Sequence, residues 1–251
     1  MTAAAAHIAR TVVGIIGNII SGFLFLCPVP TFIEIWKKGS VEQFSAAPYL
    51  ATLVNCMVWT LYGLPMVHPD SVLMITINGS GCVIEIIYVT LFLIYSNRSK
   101  RLKVLLWLLV ELIFIAALTF VTLTLVHTVN KRSQIVGTTC IVFNILMYAA
   151  PLSVMKLVIM TKSVEYMPLS ISLASFGNGL AWTTYALIRF DPFVTIPNGI
   201  GTLFSVAQLI LYATYYKSTK MQIADRKANK TEVDLSQVVI GNSDQLPKQN
   251  Y

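Results

Sequence analysis

Charge is what this 251-residue chain has least of. Charged residues make up 12% of it, against about 25% in a soluble domain, while 56% are hydrophobic and the mean hydropathy is +0.71. So little polar surface cannot wrap a water-soluble globule, and the chain reads as an integral membrane protein. Reactive groups are equally sparse. The three histidines, His7, His68 and His127, fall in the N-terminal segment or at the ends of apolar runs. The four cysteines, Cys27, Cys56, Cys82 and Cys140, form no CxxC pair and have no histidine at ligand spacing. That excludes a disulfide framework and a zinc site and leaves them as small packing residues. No nucleophile with a base, metal ligand set or phosphate-binding loop appears, so neither an enzyme nor a cofactor is read. The net charge of +7 comes from 18 basic and 11 acidic residues. The basic residues are split among short loops without an aromatic-interleaved face, which excludes a nucleic-acid partner.

Apolar length is what the chain does have. Crossing about 30 Å of hydrocarbon takes about 20 apolar residues in a helix, and seven stretches qualify: 8–35, 46–66, 71–95, 103–126, 134–160, 169–188 and 192–216. Their apolar runs are continuous, without the alternation of a barrel. From Lys217 to Tyr251 the composition turns to Lys, Gln, Asn, Ser and Asp, which predicts a disordered cytosolic tail. Lys37, Lys38, Arg98, Lys100, Arg101, Lys103, Lys156, Lys162, Lys217 and Lys220 gather on one side of the membrane. The other side has only Arg10, Lys131, Arg132 and Arg189. The richer side is expected to be cytoplasmic, with the N-terminus outside.

The chain also repeats itself. Residues 40–63, SVEQFSAAPYLATLVNCMVWTLYG, match residues 163–186, SVEYMPLSISLASFGNGLAWTTYA, at a constant shift of 123. Asn55 then falls on Asn178, Trp59 on Trp182 and Tyr62 on Tyr185. The same shift pairs Leu24 with Met147 and Pro28 with Pro151. With the shift reduced to 120, TINGSG falls on IPNGIG and Asn78 on Asn198. The units are a first three-helix repeat, 8–95, and a second, 134–216, joined by a linker helix, 103–126. One unpaired crossing makes the repeats parallel, related by a pseudo-twofold axis along the membrane normal. The expected fold class is an all-α membrane protein of seven transmembrane helices in two three-helix bundles.

The groove between such bundles is lined twice by the same residues. Asn78 and Asn198 lie about 12 Å into their spans, near the bilayer midplane, with Trp59 and Trp182 at comparable depth on neighbouring helices. Amides give donors and an acceptor and aromatic faces give a stacking surface, which suits an uncharged, hydroxyl-rich solute. An intramembrane Asn can equally bind helix to helix, and a Trp near a span end can anchor it at the interface. The recurrence in both halves favours solute contact. Gly79 and Gly199, after each Asn, leave room for the solute or a neighbouring backbone. Pro28, Pro48, Pro151 and Pro168 stand near the cytoplasmic ends of spans, as hinges or as ordinary helix starts. Glu85 and Glu111 lie within spans, where an acid is a functional candidate. Glu85 has Ser205 as its counterpart, which favours a structural role.

PVPTF, SVEQFSAAPY, WTLYGLP, TINGSG, YAAPLSV, TKSVEYMPL, FDPF and IPNGIG, in that order, resemble the SWEET sugar transporters, most closely the plant glucose-type members. The resemblance covers about residues 8–218. It implies sugar contact at Asn78, Asn198, Trp59 and Trp182, and control of solute size by Asn55, Asn178, Leu24 and Met147. It assigns conformational switching to the four prolines and an extracellular gate to Tyr62 and Asp191. It further implies a monosaccharide substrate, a lipid bilayer environment, the plasma membrane rather than the vacuole, and a homo-oligomer. A facilitative uniporter is the first expectation. A proton-coupled small-solute carrier and a seven-helix receptor are the alternatives, and the repeat argues against the receptor.

Overall fold

The computed structural model describes residues 2–243, with side chains described as far as Asn229. It is all-helical among those residues. The first crossing is a broken rod, α1 (Ala3–Leu26) and α2 (Val29–Lys38). α3 (Ala47–Gly63) and α4 (Val72–Tyr95) follow, then α5 (Arg98–Phe120), which ends in a π-helical turn at Val121–Leu125. The fifth crossing is broken like the first, into α6 (Val129–Met147) and α7 (Ala149–Thr161). α8 (Leu169–Ile188) and α9 (Pro192–Ser243) complete the chain. The seven crossings match the expected fold class.

Five of the rods are long and apolar enough to span a membrane by themselves: Ala3–Lys38, Val72–Tyr95, Arg98–Leu125, Val129–Thr161 and Pro192–Asn229. The other two crossings are α3 and α8. α3 has 17 residues, or about 26 Å at 1.5 Å per residue, and it packs against α4, α5 and α6. α8 carries serines, threonines and an asparagine and lies between α1 and α9. Screened by their neighbours, both can carry polar groups that a lipid-facing helix cannot.

Each repeat folds the same way. α4 lies between α1 and α3, and α9 packs on both α6 and α8. Matched glycines permit the close approach. A Cβ on Gly14 would lie 2.6 Å from Leu73, and one on Gly137 would lie 2.4 Å from Phe193. The two pairs correspond at the repeat shifts of 123 and 120.

Prolines set the breaks. Pro28 and Pro151 lack the N–H that would reach the carbonyls of Leu24 and Met147 four residues earlier. The Leu24 carbonyl instead accepts the tighter bond from the Cys27 N–H at 3.2 Å, and the second rod breaks at Tyr148, three residues before Pro151. Pro48 sits in the first turn of α3, whereas Pro168 precedes α8 in an extended conformation. These two share a place in the repeat without sharing a backbone geometry.

The stretch expected to be a disordered tail differs. α9 runs on from Lys217 to Ser243, and residues 244–251 of that expected segment lie outside the described residues. Neither glycine nor proline occurs between Gly201 and Gly241 to stop the helix. Its early turns are also held from the side: Val164 N–H donates to Thr219 Oγ1 at 2.8 Å, Gln222 donates to the Thr161 carbonyl at 3.1 Å, and Arg226 pairs with Glu165 at 2.5 Å. Composition marked this segment as polar but not the contacts on which it is propped.

Apolar packing is lopsided along the membrane normal. At the Asp191 end one core joins both repeats, including Val58, Tyr62 and Met74 from the first and Val136, Tyr185 and Val194 from the second. At the proline end the core divides. Phe32, Ile35, Tyr88 and Phe92 pack within the first repeat, and Val158, Val164 and Met167 within the second.

Candidate functional site

Between the bundles lies a cavity of about 220 Å³. All eight residues expected at the solute site line it: Leu24, Asn55, Trp59 and Asn78 from the first repeat, Met147, Asn178, Trp182 and Asn198 from the second. Positions 120 or 123 residues apart thus converge on one space. No charged side chain lines it.

The amides are not equally free. Asn78 Nδ2 donates to the Met74 carbonyl and Asn198 Nδ2 to the Val194 carbonyl, both at 2.9 Å and both four residues back. This identical bond in each repeat leaves the amide oxygens as free acceptors. Asn178 Oδ1 accepts from Ser21 Oγ at 2.5 Å, and Ser21 Oγ accepts the Trp182 indole N–H at 3.1 Å. Asn55 Oδ1 is buried without a protein partner. Trp182 also lies against Gly17, where a Cβ would approach the indole to 3.0 Å. Gly79 and Gly199 do not bring a backbone close, because nothing lies within 4 Å of a Cβ built on either.

A wider cavity of about 520 Å³ adjoins the first and shares Leu24, Asn55, Asn144, Met147, Asn178 and Asn198 with it. It extends to Pro151, Tyr166, Met167 and Pro168. The central space therefore continues toward the proline end, where the core is split.

The opposite end is shut. Tyr62 Oη donates to the Asp191 carboxylate, 3.0 Å from each oxygen, across 129 residues of sequence. Asp191 is 5% exposed rather than solvated in a loop. FDPF explains its position: Asp191 caps α9, accepting the Phe193 N–H at 3.0 Å, and Pro192 starts the helix. The cap spends one side of the carboxylate on α9 and turns the rest toward Tyr62.

His68 completes this end. Its ring stacks on Tyr62 with centroids 4.7 Å apart, its Nε2 lies 3.4 Å from Asp191, and its Nδ1 lies 3.0 Å from Ser133 Oγ. Ser133 gives its own proton to the Val67 carbonyl at 2.6 Å, so it must accept from Nδ1–H. Burial holds the imidazole below its ordinary value, with Asp191 opposing and Arg10 and Arg189 adding to the shift. Outside it, the Arg189 guanidinium pairs with Asp70 and lowers that carboxyl.

The comparisons decide the family. The model for the sugar efflux transporters for intercellular exchange matches residues 11–100 and again residues 134–220. This chain belongs to the SWEET family. Two matches to one family model reproduce the two-repeat division, and membership makes the chain a transporter rather than an enzyme. Among its SWEET relatives are a rice (Oryza sativa subsp. indica) bidirectional sugar transporter, SWEET4, 59% identical over 95% of this chain and 92% of the relative, and SWEET7 of Arabidopsis thaliana, 57% identical over 93% and 91%. The solved structure of a eukaryotic SWEET transporter superposes with a TM-score of 0.83 at 36% identity, over 85% of this chain and 99% of that one.

Several residues of this SWEET chain's site escape the repeat search. Ser21 has Asn144 as its counterpart at the shift of 123, a polar-for-polar match in apolar helices that is a detectable signal. Pro197, fully buried within α9, accepts a hydrogen bond from Tyr148 through its carbonyl. Tyr148 replaces Phe25 of the first repeat, so this tie exists in one half only. His68 carries no motif of its own.

Proposed function

We propose that this SWEET chain is a bidirectional facilitative uniporter that carries a monosaccharide, of the glucose type, down its gradient by alternating access. The observation that carries the reading is the uncharged cavity with its matched Asn and Trp pairs. Amide oxygens accept from hydroxyls, Trp faces pack on ring C–H, and no ion is needed to balance a charge. The names of the relatives, which are bidirectional sugar transporters, support sugar as the solute class. Leu24, Met147, Asn55 and Asn178 line both this cavity and the wider one beside it, and their bulk at the junction supports one ring over two.

In this mechanism Tyr62 and Asp191 form the outer gate, and the breaks at Pro28 and Pro151, with Pro48 and Pro168, let each bundle rock. The state described has its outer gate shut and its proline end reachable. The repeats at 8–95 and 134–216 move about the linker at 103–126, within a homo-oligomer in the plasma membrane with the N-terminus outside. A second reading, proton coupling through Glu85, draws on its burial at 3% exposure and an unpartnered Oε2. Glu85 does not line the cavity, which favours the uniporter. Uptake of radiolabelled glucose and sucrose into proteoliposomes, with and without a pH gradient, tests both. Glucose equilibration unaffected by the gradient is expected. Accumulation above equilibrium sinks the uniporter, and absence of glucose uptake by folded protein sinks the substrate.

A further inference from the structure

The two walls of the cavity are built from a repeat, yet their hydrogen bonding is unequal. At the Trp182–Asn178 wall a directed chain crosses between the repeats, from the Trp182 indole N–H to Ser21 Oγ of the first repeat at 3.1 Å and on to Asn178 Oδ1 at 2.5 Å. The order is forced by the donors. An indole N–H can only donate, so the Ser21 hydroxyl accepts it and turns its proton to Asn178. That fixes the amide with its oxygen toward Ser21 and its N–H groups away from it. Trp182 is further held by Gly17 behind it and Tyr185 beside it, with ring centroids 5.2 Å apart.

The first-repeat wall has no such chain. The counterpart of Ser21 is Asn144, whose Nδ2 is spent on the Cys140 carbonyl four residues back, at 3.0 Å. No hydrogen bond from Asn144 reaches Trp59 or Asn55 among the described residues, and Asn55 Oδ1 stays buried and unpartnered. A buried acceptor without a partner has lost its water and gained nothing in return, so a donor from the solute that reaches it gains most.

We propose that Ser21 is a positioning residue that locks Trp182 and Asn178, giving the cavity one rigid wall that presents amide donors and one unlocked wall on which the Asn55 amide, held by no hydrogen bond among the described residues, can turn its unsatisfied acceptor to the solute. A hydroxylated ring then binds in a preferred sense, accepting from Asn178 and donating to Asn55. The pseudo-twofold of the backbone is therefore broken at the site, and the solute meets two unlike surfaces. This rests on the cavity being the sugar site; the placing of Trp182 by Ser21 does not.

The test uses the full chain in liposomes with Trp36→Phe and Trp107→Phe, two tryptophans that are 66% and 61% exposed, so that only Trp59 and Trp182 report. Ser21→Ala is expected to shift indole emission to the blue, because the N–H loses its acceptor, and to raise the KM for glucose about three- to tenfold, as loss of about one hydrogen bond requires. Ser21→Thr retains a hydroxyl and is expected to restore the emission. Asn144→Ala is expected to leave the emission where it was. An unchanged spectrum in Ser21→Ala, or an equal shift in Asn144→Ala, overturns the positioning role. If the parent protein moves no glucose while Ser21→Ala still shifts the emission, the sugar reading fails and the positioning stands.

Discussion

Tyr62→Phe removes one hydroxyl and almost no volume, and the structure says what that hydroxyl holds. Its oxygen is 3.0 Å from both carboxylate oxygens of Asp191, and Tyr62 is 0% exposed. A hydrogen bond to a charged group contributes about 1.5–3 kcal/mol. Phe still packs in the shared core with Trp59 and Phe193, and Asp191 still caps α9, so the loss falls on the joint between the bundles rather than on either bundle's fold. If the bond is absent when the outer end opens, the ratio of open to shut rises roughly ten- to a hundredfold. Spin labels replacing Val72 at the start of α4 and Val129 at the start of α6, in a background without native cysteines, report that end by pulsed dipolar spectroscopy. The parent is expected to show a dominant short distance and Tyr62→Phe a substantial longer component. Asp191→Asn is expected to give a smaller change in the same direction, because the amide oxygen still accepts. An unaltered distance distribution in Tyr62→Phe, with the protein folded, refutes the assignment of the shut end to this bond.

Three further outcomes follow from the same geometry. Combining Leu24→Val with Asn55→Ser trims two side chains that line the cavity and is expected to admit sucrose; continued exclusion of sucrose in the proteoliposome assay removes the size argument. Gly79→Ala meets nothing within 4 Å and gains about 1 kcal/mol of helix propensity, so thermal unfolding in detergent is expected at the same or a higher temperature. Gly137→Ala puts a Cβ 2.4 Å from Phe193 and is expected to unfold earlier, by an overpacking cost of about 1–3 kcal/mol; similar behaviour of the two variants contradicts the packing. His68, facing Asp191, Asp70, Arg10 and Arg189, is held below its ordinary value of 6.5 in the shut state, chiefly by burial. The shut state thus prefers the neutral ring: its contribution is complete above about pH 6.5 and is lost as pH falls below that. Acidifying the outer side is expected to lengthen the Val72–Val129 distance, and His68→Asn to abolish that response; the same pH dependence in the variant removes His68 from the latch.

The tail shows where reading by composition stops. Lys, Gln and Asp after Tyr216 mark a polar segment, but polarity does not say whether a helix ends. α9 continues because no breaker interrupts it and because Gln222 and Arg226 find partners in the loop at 161–165, about 60 residues earlier. The short loop before α9 shows the converse. FDPF signals a helix start at Asp191, yet nothing local reveals that the capping carboxylate also faces Tyr62, because that partner belongs to the other repeat.

Composition, apolar length and the shifts of 123 and 120 were enough to read the membrane class, the seven crossings, the two repeats and the Asn78–Asn198 and Trp59–Trp182 pairs at the centre, while the resemblance to a family added Leu24, Met147, Asn55 and Asn178. Those properties are linear. Hydrophobic length follows from bilayer thickness, and a duplicated chain folds its copies alike, so equal stations converge on the axis between them. Tertiary structure alone decided which end is shut, that Asn78 and Asn198 spend an N–H on their own helices and keep their oxygens free, and that Ser21 serves Trp182 and Asn178 while Asn144 serves neither Trp59 nor Asn55. These depend on bonds between unlike positions more than 100 residues apart, or on the choice of one acceptor among several. A repeat in sequence specifies what is the same in both halves, whereas the shut end and the unequal cavity walls turn on where they differ, and those differences reside in hydrogen bonds that form only when the two bundles are placed against each other.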